Sequence, residues 1–315
     1  MDGILNLHKP PGPTSFDMVR MARRVFQQRR VGHGGTLDPA AAGVLPLLLG
    51  QATRVSEYLL ASDKDYLATV RLGIATDTYD AKGATVSQHD ASAITRDQAE
   101  QALAKFRGVI QQTPPMYSAL KQGGTPLYKL ARAGIEVDRA ARQITFHRLV
   151  MTEWSPPLLT LEITCSHGAY IRSLAHDLGQ ALGCGAHLHA LTRTRVGPFT
   201  LAAATTVEAL FHAAHQETLE HQLWALDWSM LAMPAAIVDP EDVRSLRYGQ
   251  SLPQAPEAPA MAHDAPCRAY DFDGGLVAVL AYDQPAGAWR PSKVLPPADS
   301  AAHAASAPSS APVDQ

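Results

Sequence analysis

One acid in this chain stands where an acid can do chemistry. Asp38 lies in the run Gly32-His33-Gly34-Gly35-Thr36-Leu37-Asp38-Pro39. Glycines let a backbone reach positive φ and come close to a ligand. A proline after the acid restricts both itself and the residue before it. A carboxylate held this way can act as a nucleophile, a base or a metal ligand. The same residues also make an ordinary Asx turn, and residue types alone leave these readings open. Other templates are missing. Gly32-x-Gly34-Gly35 has the wrong spacing for a dinucleotide fingerprint, and neither a phosphate loop nor a Gly-x-Ser-x-Gly elbow occurs. Cys165, Cys184 and Cys267 form no Cys-x-x-Cys pair. Cys184, His187 and His189 share a glycine-flanked turn but lack a fourth ligand, so no metal is expected. No cofactor is expected either.

Composition sets the frame for that acid. The chain has 315 residues, of which 46% are hydrophobic and 18% charged, enough for a sizeable core. The length suits a large domain with a small one. A net charge of −3 does not announce a nucleic-acid partner. The distribution is more informative. Arg20, Arg23, Arg24, Arg29 and Arg30 crowd one stretch, and Lys121, Lys129, Arg132, Arg139 and Arg142 recur through another. The planar guanidinium suits phosphates, although solvated helix faces carry such charges too. The N-terminus lacks a signal-peptide pattern and no apolar run reaches membrane-spanning length, so a reduced cytoplasm is expected.

The elements that must position Asp38 follow from periodicity. Ile4, Leu5 and Leu7 read as a strand ended by the Lys9–Pro13 turn. A helix capped by Thr14 or Ser15 follows, with Phe16, Val19, Ala22, Val25 and Phe26 on one face. Val31–Asp38 reads as a loop and Gly43–Leu60 as a helix. Asp65–Leu72 reads as a strand and Gly73–Asp80 as a polar loop. Thr95 with Gln98 fits a capping box. Residues 116–142 read as a flexible basic insertion with short helical pieces. Leu159, Leu161, Ile163 and Cys165 alternate with polar residues, as a half-buried strand does. A helix follows from about Tyr170 to Leu182, stopped at Gly183. Strands and helices mix without a βα repeat, which favours α+β. Residues from about 235 to 297 read as a small all-β domain with a loop over Pro253–Pro266. Residues 298–315 read as disordered.

The motifs, taken together, carry a resemblance. His33–Pro39 with Ala42-Gly43-Val44-Leu45-Pro46 resembles the signature of TruB-type pseudouridine synthases. Lys9–Ser15, Lys64-Asp65-Tyr66, Gly73–Asp80, Pro115–Lys121, Cys165–Leu174 and Gly183–Leu188 resemble that family's other segments, in the same order. Two departures stand out. The family commonly has Thr where this chain has Gly34, which is expected to loosen the loop. Beyond Ala235 only Trp289–Leu295 resembles the family's RNA-binding PUA domain.

The resemblance implies a fold and a chemistry. The fold is an α+β synthase core over residues 1–231, with a mixed, largely antiparallel sheet flanked by helices, and a PUA-like domain over 235–297. The chemistry is isomerisation of uridine 55 in the T loop of tRNA by a monomer without metal or cofactor. Asp38 is then the nucleophile, and aspartates ordinarily ionise near pH ~3.9, so none needs help to be charged at neutrality. Tyr66 and Tyr170 hold the flipped base, Leu191 walls the pocket, and His33 fills the space the base leaves. Arg172 and Asp80 support the site, and Lys9 is structural or faces phosphate. The 116–142 insertion grips RNA. Two other classes are weighed: an inactive RNA-folding protein on the same fold, and a glycosidic-bond hydrolase, which would need a second acid.

Overall fold

The computed structural model describes residues 1–253 and 261–296. The disorder expected of residues 298–315, and residues 254–260 of the expected Pro253–Pro266 loop, lie outside the described residues. A ten-stranded mixed sheet forms the body. Its strands run, in spatial order, Leu223–Trp224, Gly3–Lys9, Ala42–Leu49, Ala186–Val196, Lys64–Leu72, Leu158–Cys165, Arg142–Ser155 and Gly108–Gln112. Val31–His33 adds to Ala42–Leu49, and Phe199–Thr200 adds to Ala186–Val196. Neighbours are antiparallel except Ala42–Leu49 and Ala186–Val196, which run parallel.

Two helices close the faces that matter for the site. Thr14 caps Ser15–Val25 in a reciprocal box with Asp17, and the helix buries Met18, Val19 and Ala22 against Leu5, Leu7, Leu45, Leu47 and Leu49. Ile171–Ala181 buries Ile171, Leu174 and Leu178 against Ala68, Val70 and Leu161. Each such aliphatic side chain is worth roughly 1.5–3 kcal/mol when fully buried. Thr95 and Gln98 form the expected box at the start of Arg96–Ala104.

Several expectations change. Gly43–Leu60 is not one helix: Ala42–Leu49 is a strand, followed by a 3-10 turn over Gly50–Val55 and the short helix Ser56–Leu60. A continuous apolar run buried on both faces has no period to separate strand from helix. Val31–Asp38 begins with three residues of strand, and the polar stretch 73–80 contains the strand Ile74–Thr76, paired with Thr85–Gln88. The basic stretch 116–142 holds a tiny hairpin, Lys121–Gln122 with Thr125–Pro126, and the helix Leu127–Arg132.

The C-terminal unit is β-rich rather than all-β. Its five-stranded sheet runs Ala235–Ile237, Pro266–Tyr270, Leu276–Asp283, Ala288–Val294, Leu252–Pro253. Against it lies the helix Pro240–Arg247, capped by Asp239 with Pro at its first turn. That capping pattern was a helix signal within a stretch read as strands. A small apolar cluster of Val55, Met230 and Val279 joins this unit to the body.

Candidate active site

Asp38 is carried on a loop whose main chain is tied down at almost every residue. Gly34 N–H donates to Pro46 O at 2.8 Å. The carbonyls of Gly35 and Thr36 accept from the guanidinium of Arg193 at 3.1 and 3.2 Å, and the same group reaches Val44 O at 2.8 Å. Ser15 Oγ donates to Leu37 O and accepts from Leu37 N–H, both at 2.8 Å. Ala41 N–H closes back on Asp38 O, and Gly12 N–H donates to Pro39 O. Lys9 Nζ donates to Pro39 O at 3.3 Å, Ala41 O at 2.7 Å and Pro10 O at 2.8 Å. Leu37 is buried beneath the acid. Lys9 is fully buried and its ammonium is spent on carbonyls, which assigns it to structure rather than to phosphate.

Gly34 leaves no void. A Cβ there would fall 2.3 Å from Leu59 Cδ2, so the Leu59 side chain occupies the space a larger residue would need. The expected loosening of the loop is therefore not what the packing shows.

The Asp38 carboxylate meets Arg172. Nε lies 2.8 Å from Oδ2, and Nη2 is 3.4 Å from Oδ1. Arg172 is 7% exposed and begins the helix Ile171–Ala181 directly after a strand and turn. Its remaining donors reach Thr78 O at 3.2 Å and Tyr117 O at 2.9 Å, with Asp80 Oδ2 at 3.8 Å. Asp80 is itself fixed by Thr78 Oγ1 and the Lys82 N–H. The turn that presents it holds Tyr79 in the left-handed region at φ +64°, an uncommon place for a bulky residue. The Tyr79 ring stacks on His176 at 3.9 Å, and its carbonyl accepts from Leu188 N–H. Neighbouring contacts of this kind hold such a conformation in place.

A cleft of about 560 Å³ opens over the acid, lined among others by Asp38, Asp80, Arg172, Leu188, His189 and Leu191. The Asp38 side chain remains 34% exposed at its wall, so one edge of the carboxylate faces the opening. Tyr66, Tyr170 and His33 do not line the cleft. Tyr66 is half-buried, opposite Arg193 in the sheet register, and burial pushes its phenol up to about 12. Burial also raises the Tyr170 phenol; the Asp38 charge acts on both hydroxyls. His33 Nδ1 accepts from Gly35 N–H at 3.4 Å, so its imidazole lies against the loop. Burial, then the Arg193 charge, pulls its pKa down. Burial likewise lowers Lys9 to about 8, partly offset by the Asp38 charge.

Sequence reasoning gave no role to Arg193, Leu59 or Gln112, and took Ser15 only as a candidate helix cap, which Thr14 proves to be. The one usable signal for Arg193 was its place two residues after Leu191 on a strand, where alternation returns the side chain to the same face. Among the described residues, no cluster of His, Cys, Asp and Glu could hold a metal ion. No helix there is long and apolar enough to cross a membrane.

Two family models match consecutive stretches of the chain. One, described as TruB family pseudouridylate synthase (N terminal domain), covers residues 23–171, and the other, tRNA pseudouridylate synthase B C-terminal domain, covers 172–237. The chain is 47% identical over 262 residues to a tRNA pseudouridine synthase B of Pseudomonas aeruginosa (strain UCBPP-PA14), covering 82% of this chain and 86% of that protein. It is 42% identical over 299 residues to the protein of the same name from Dehalococcoides mccartyi (strain CBDB1), covering 94% and 97%. Among solved structures, a Cbf5-Nop10-Gar1 complex matches with a TM-score of 0.71 and 26% identity, over 93% of this chain and 84% of that one. An H/ACA RNP bound to a substrate RNA containing 2'-deoxyuridine matches with a TM-score of 0.70 and 25% identity, over 94% and 86%. The family models and the relatives make this an enzyme of the pseudouridine synthase class. The chain belongs to the TruB family.

Proposed function

We propose that this enzyme isomerises uridine 55 in the T loop of tRNA, with Asp38 as its nucleophile. One observation carries the assignment of the acid. Asp38 is the carboxylate that a fully bonded loop presents to the cleft, with Arg172 orienting it and one edge left open. The relatives' names supply the RNA class.

The chemistry needs little else. The N1–C1′ bond breaks, the base turns, and a C5–C1′ bond forms. The C5 proton goes to water and N1 gains a proton, so nothing is oxidised and no group leaves the RNA. The carboxylate adds to C1′ of the ribose or to C6 of the uracil. Reaching either atom requires extruding the nucleotide, at a cost of a few kcal/mol. Tyr66 stacks on the uracil, a contact worth roughly 1–3 kcal/mol. Tyr170 and Leu191 hold its edge and face, and His33 fills the space left in the RNA stack. Asp80 and Arg172 keep the nucleophile aimed.

The division of labour follows. Residues 1–231 form the catalytic domain, the stretch 116–142 grips the RNA backbone, and residues 235–297 bind RNA as a PUA-like domain. The protein works as a cytoplasmic monomer on the T arm.

Tritium at uridine C5 of a tRNA substrate tests this reading. Wild type is expected to release the label to water without added metal or cofactor, and Asp38→Asn to release none while still binding tRNA. Normal release by Asp38→Asn would overturn the assignment.

A further inference from the structure

Gln112 ends the edge strand Gly108–Gln112 and is 2% exposed. Its side-chain amide closes a ring with the main chain of Tyr170. Tyr170 N–H donates to Oε1 at 2.8 Å, and Nε2 donates to Tyr170 O at 3.0 Å. Tyr170 is the N-cap of Ile171–Ala181 and offers no side-chain cap of its own. Nearby residues repeat the attachment. Ser173 Oγ donates to Thr113 O at 3.0 Å, and Arg172 Nη2 donates to Tyr117 O at 2.9 Å. Four hydrogen bonds thus join residues 112–117 to residues 170–173. The first segment runs into the basic stretch 116–142, and the second carries Arg172, which pairs with Asp38.

We infer that Gln112 is a positioning residue for the isomerisation. Its amide fixes the main chain of Tyr170, and with it the angle at which the helix delivers Arg172 to Asp38. The inference rests on the reading of Asp38 as the nucleophile. The buried amide answers both main-chain polar groups of one residue, leaving neither unpaired. A helix start without its own cap is otherwise free to shift, and an ångström of misplacement can cost about 100-fold in rate.

Two substitutions test it, with Asp38→Asn run alongside. Gln112→Met keeps the volume and deletes both bonds. It is expected to lower kcat about 100-fold while leaving tRNA affinity within about threefold, since it touches no phosphate-facing group. Gln112→Glu keeps the acceptor, and once protonated in this buried place it regains the donor. Its kcat, relative to wild type, is therefore expected to rise from pH 8.5 to pH 6 above that of Gln112→Met. A Gln112→Met enzyme with wild-type kcat, or a loss seen only in KM, would overturn the inference. So would a Gln112→Glu enzyme no better than Gln112→Met at pH 6. Turnover by Asp38→Asn would instead overturn the reading of the site itself.

Discussion

Lys9 and Arg193 hold opposite flanks of the loop that carries Asp38, and neither forms an ion pair with a carboxylate among the described residues. Both spend their donors on main-chain carbonyls. Arg193 lies almost fully buried, so the cost of taking its guanidinium out of water is offset by the hydrogen bonds it makes there.

Removing that cation should cost stability first. Arg193→Met leaves the carbonyls of Gly35, Thr36 and Val44 without their partner. The Val44 carbonyl is the buried one of the three, and a buried unsatisfied group costs about 1–3 kcal/mol, so denaturant unfolding should show a loss of at least about 1 kcal/mol. A loss below about 1 kcal/mol would mean the loop finds other partners.

The pH dependence of turnover should carry the signature of Lys9. Burial holds its pKa near about 8, against an ordinary 10.5. Below that value the ammonium has three N–H groups for three carbonyls; above it the neutral amine has two. Turnover is expected to fall as pH rises through about 8. The linkage to folding has the opposite sign. Between about 8 and 10.5 the unfolded chain keeps the proton that the folded chain has released, so this group makes stability rise with pH there. Lys64 is lowered to about 8 as well, chiefly by burial, so the profile of Lys64→Met serves as the control and should keep the alkaline limb. A kcat that stays flat to pH 9.5 in wild type would count against the role given to Lys9.

Leu59 makes a separate test of the loop. Threonine at position 34 would collide with Leu59, so Gly34→Thr should destabilise the protein by about 1–3 kcal/mol as an overpacked core does. In a Leu59→Ala background the same substitution should cost less, because the colliding atoms are gone. A double-mutant cycle on thermal or urea unfolding gives the coupling. Additive effects would show that the two sites do not share the space.

Binding of tRNA should weaken steeply with salt despite the net charge of −3. Each phosphate contact contributes a slope of roughly −0.9 in log affinity against log salt on duplex, or somewhat less on single strands. Replacing Lys121, Lys129 and Arg132 with alanine should flatten that slope and raise Kd without changing kcat. An affinity indifferent to salt would argue against backbone gripping by residues 116–142.

The sequence made some parts of this molecule legible and hid others for physical reasons. Thr14 and Thr95 announced their helices because capping is local. The strand Leu158–Cys165 announced itself because one face is buried and the other is not. Ala42–Leu49 did neither, being buried on both faces. Asp38 stood out by its glycines and proline. The groups that hold it did not, since Ser15, Arg193 and Gln112 lie 23 to 155 residues away and meet the site only through the folded sheet. A buried arginine that bonds carbonyls looks, in a string of letters, like any arginine on a surface.

The five-residue helix Ser56–Leu60 touches two parts of the molecule at once. Glu57 pairs with Lys293 at 2.8 Å, and Tyr58 packs on the cluster containing Val279, both in the C-terminal sheet. One residue further on, Leu59 fills the space beside Gly34 at the root of the Asp38 loop. The helix is therefore a bridge: barely more than one turn of backbone separates its contacts with the C-terminal sheet from its contact with the loop that carries Asp38.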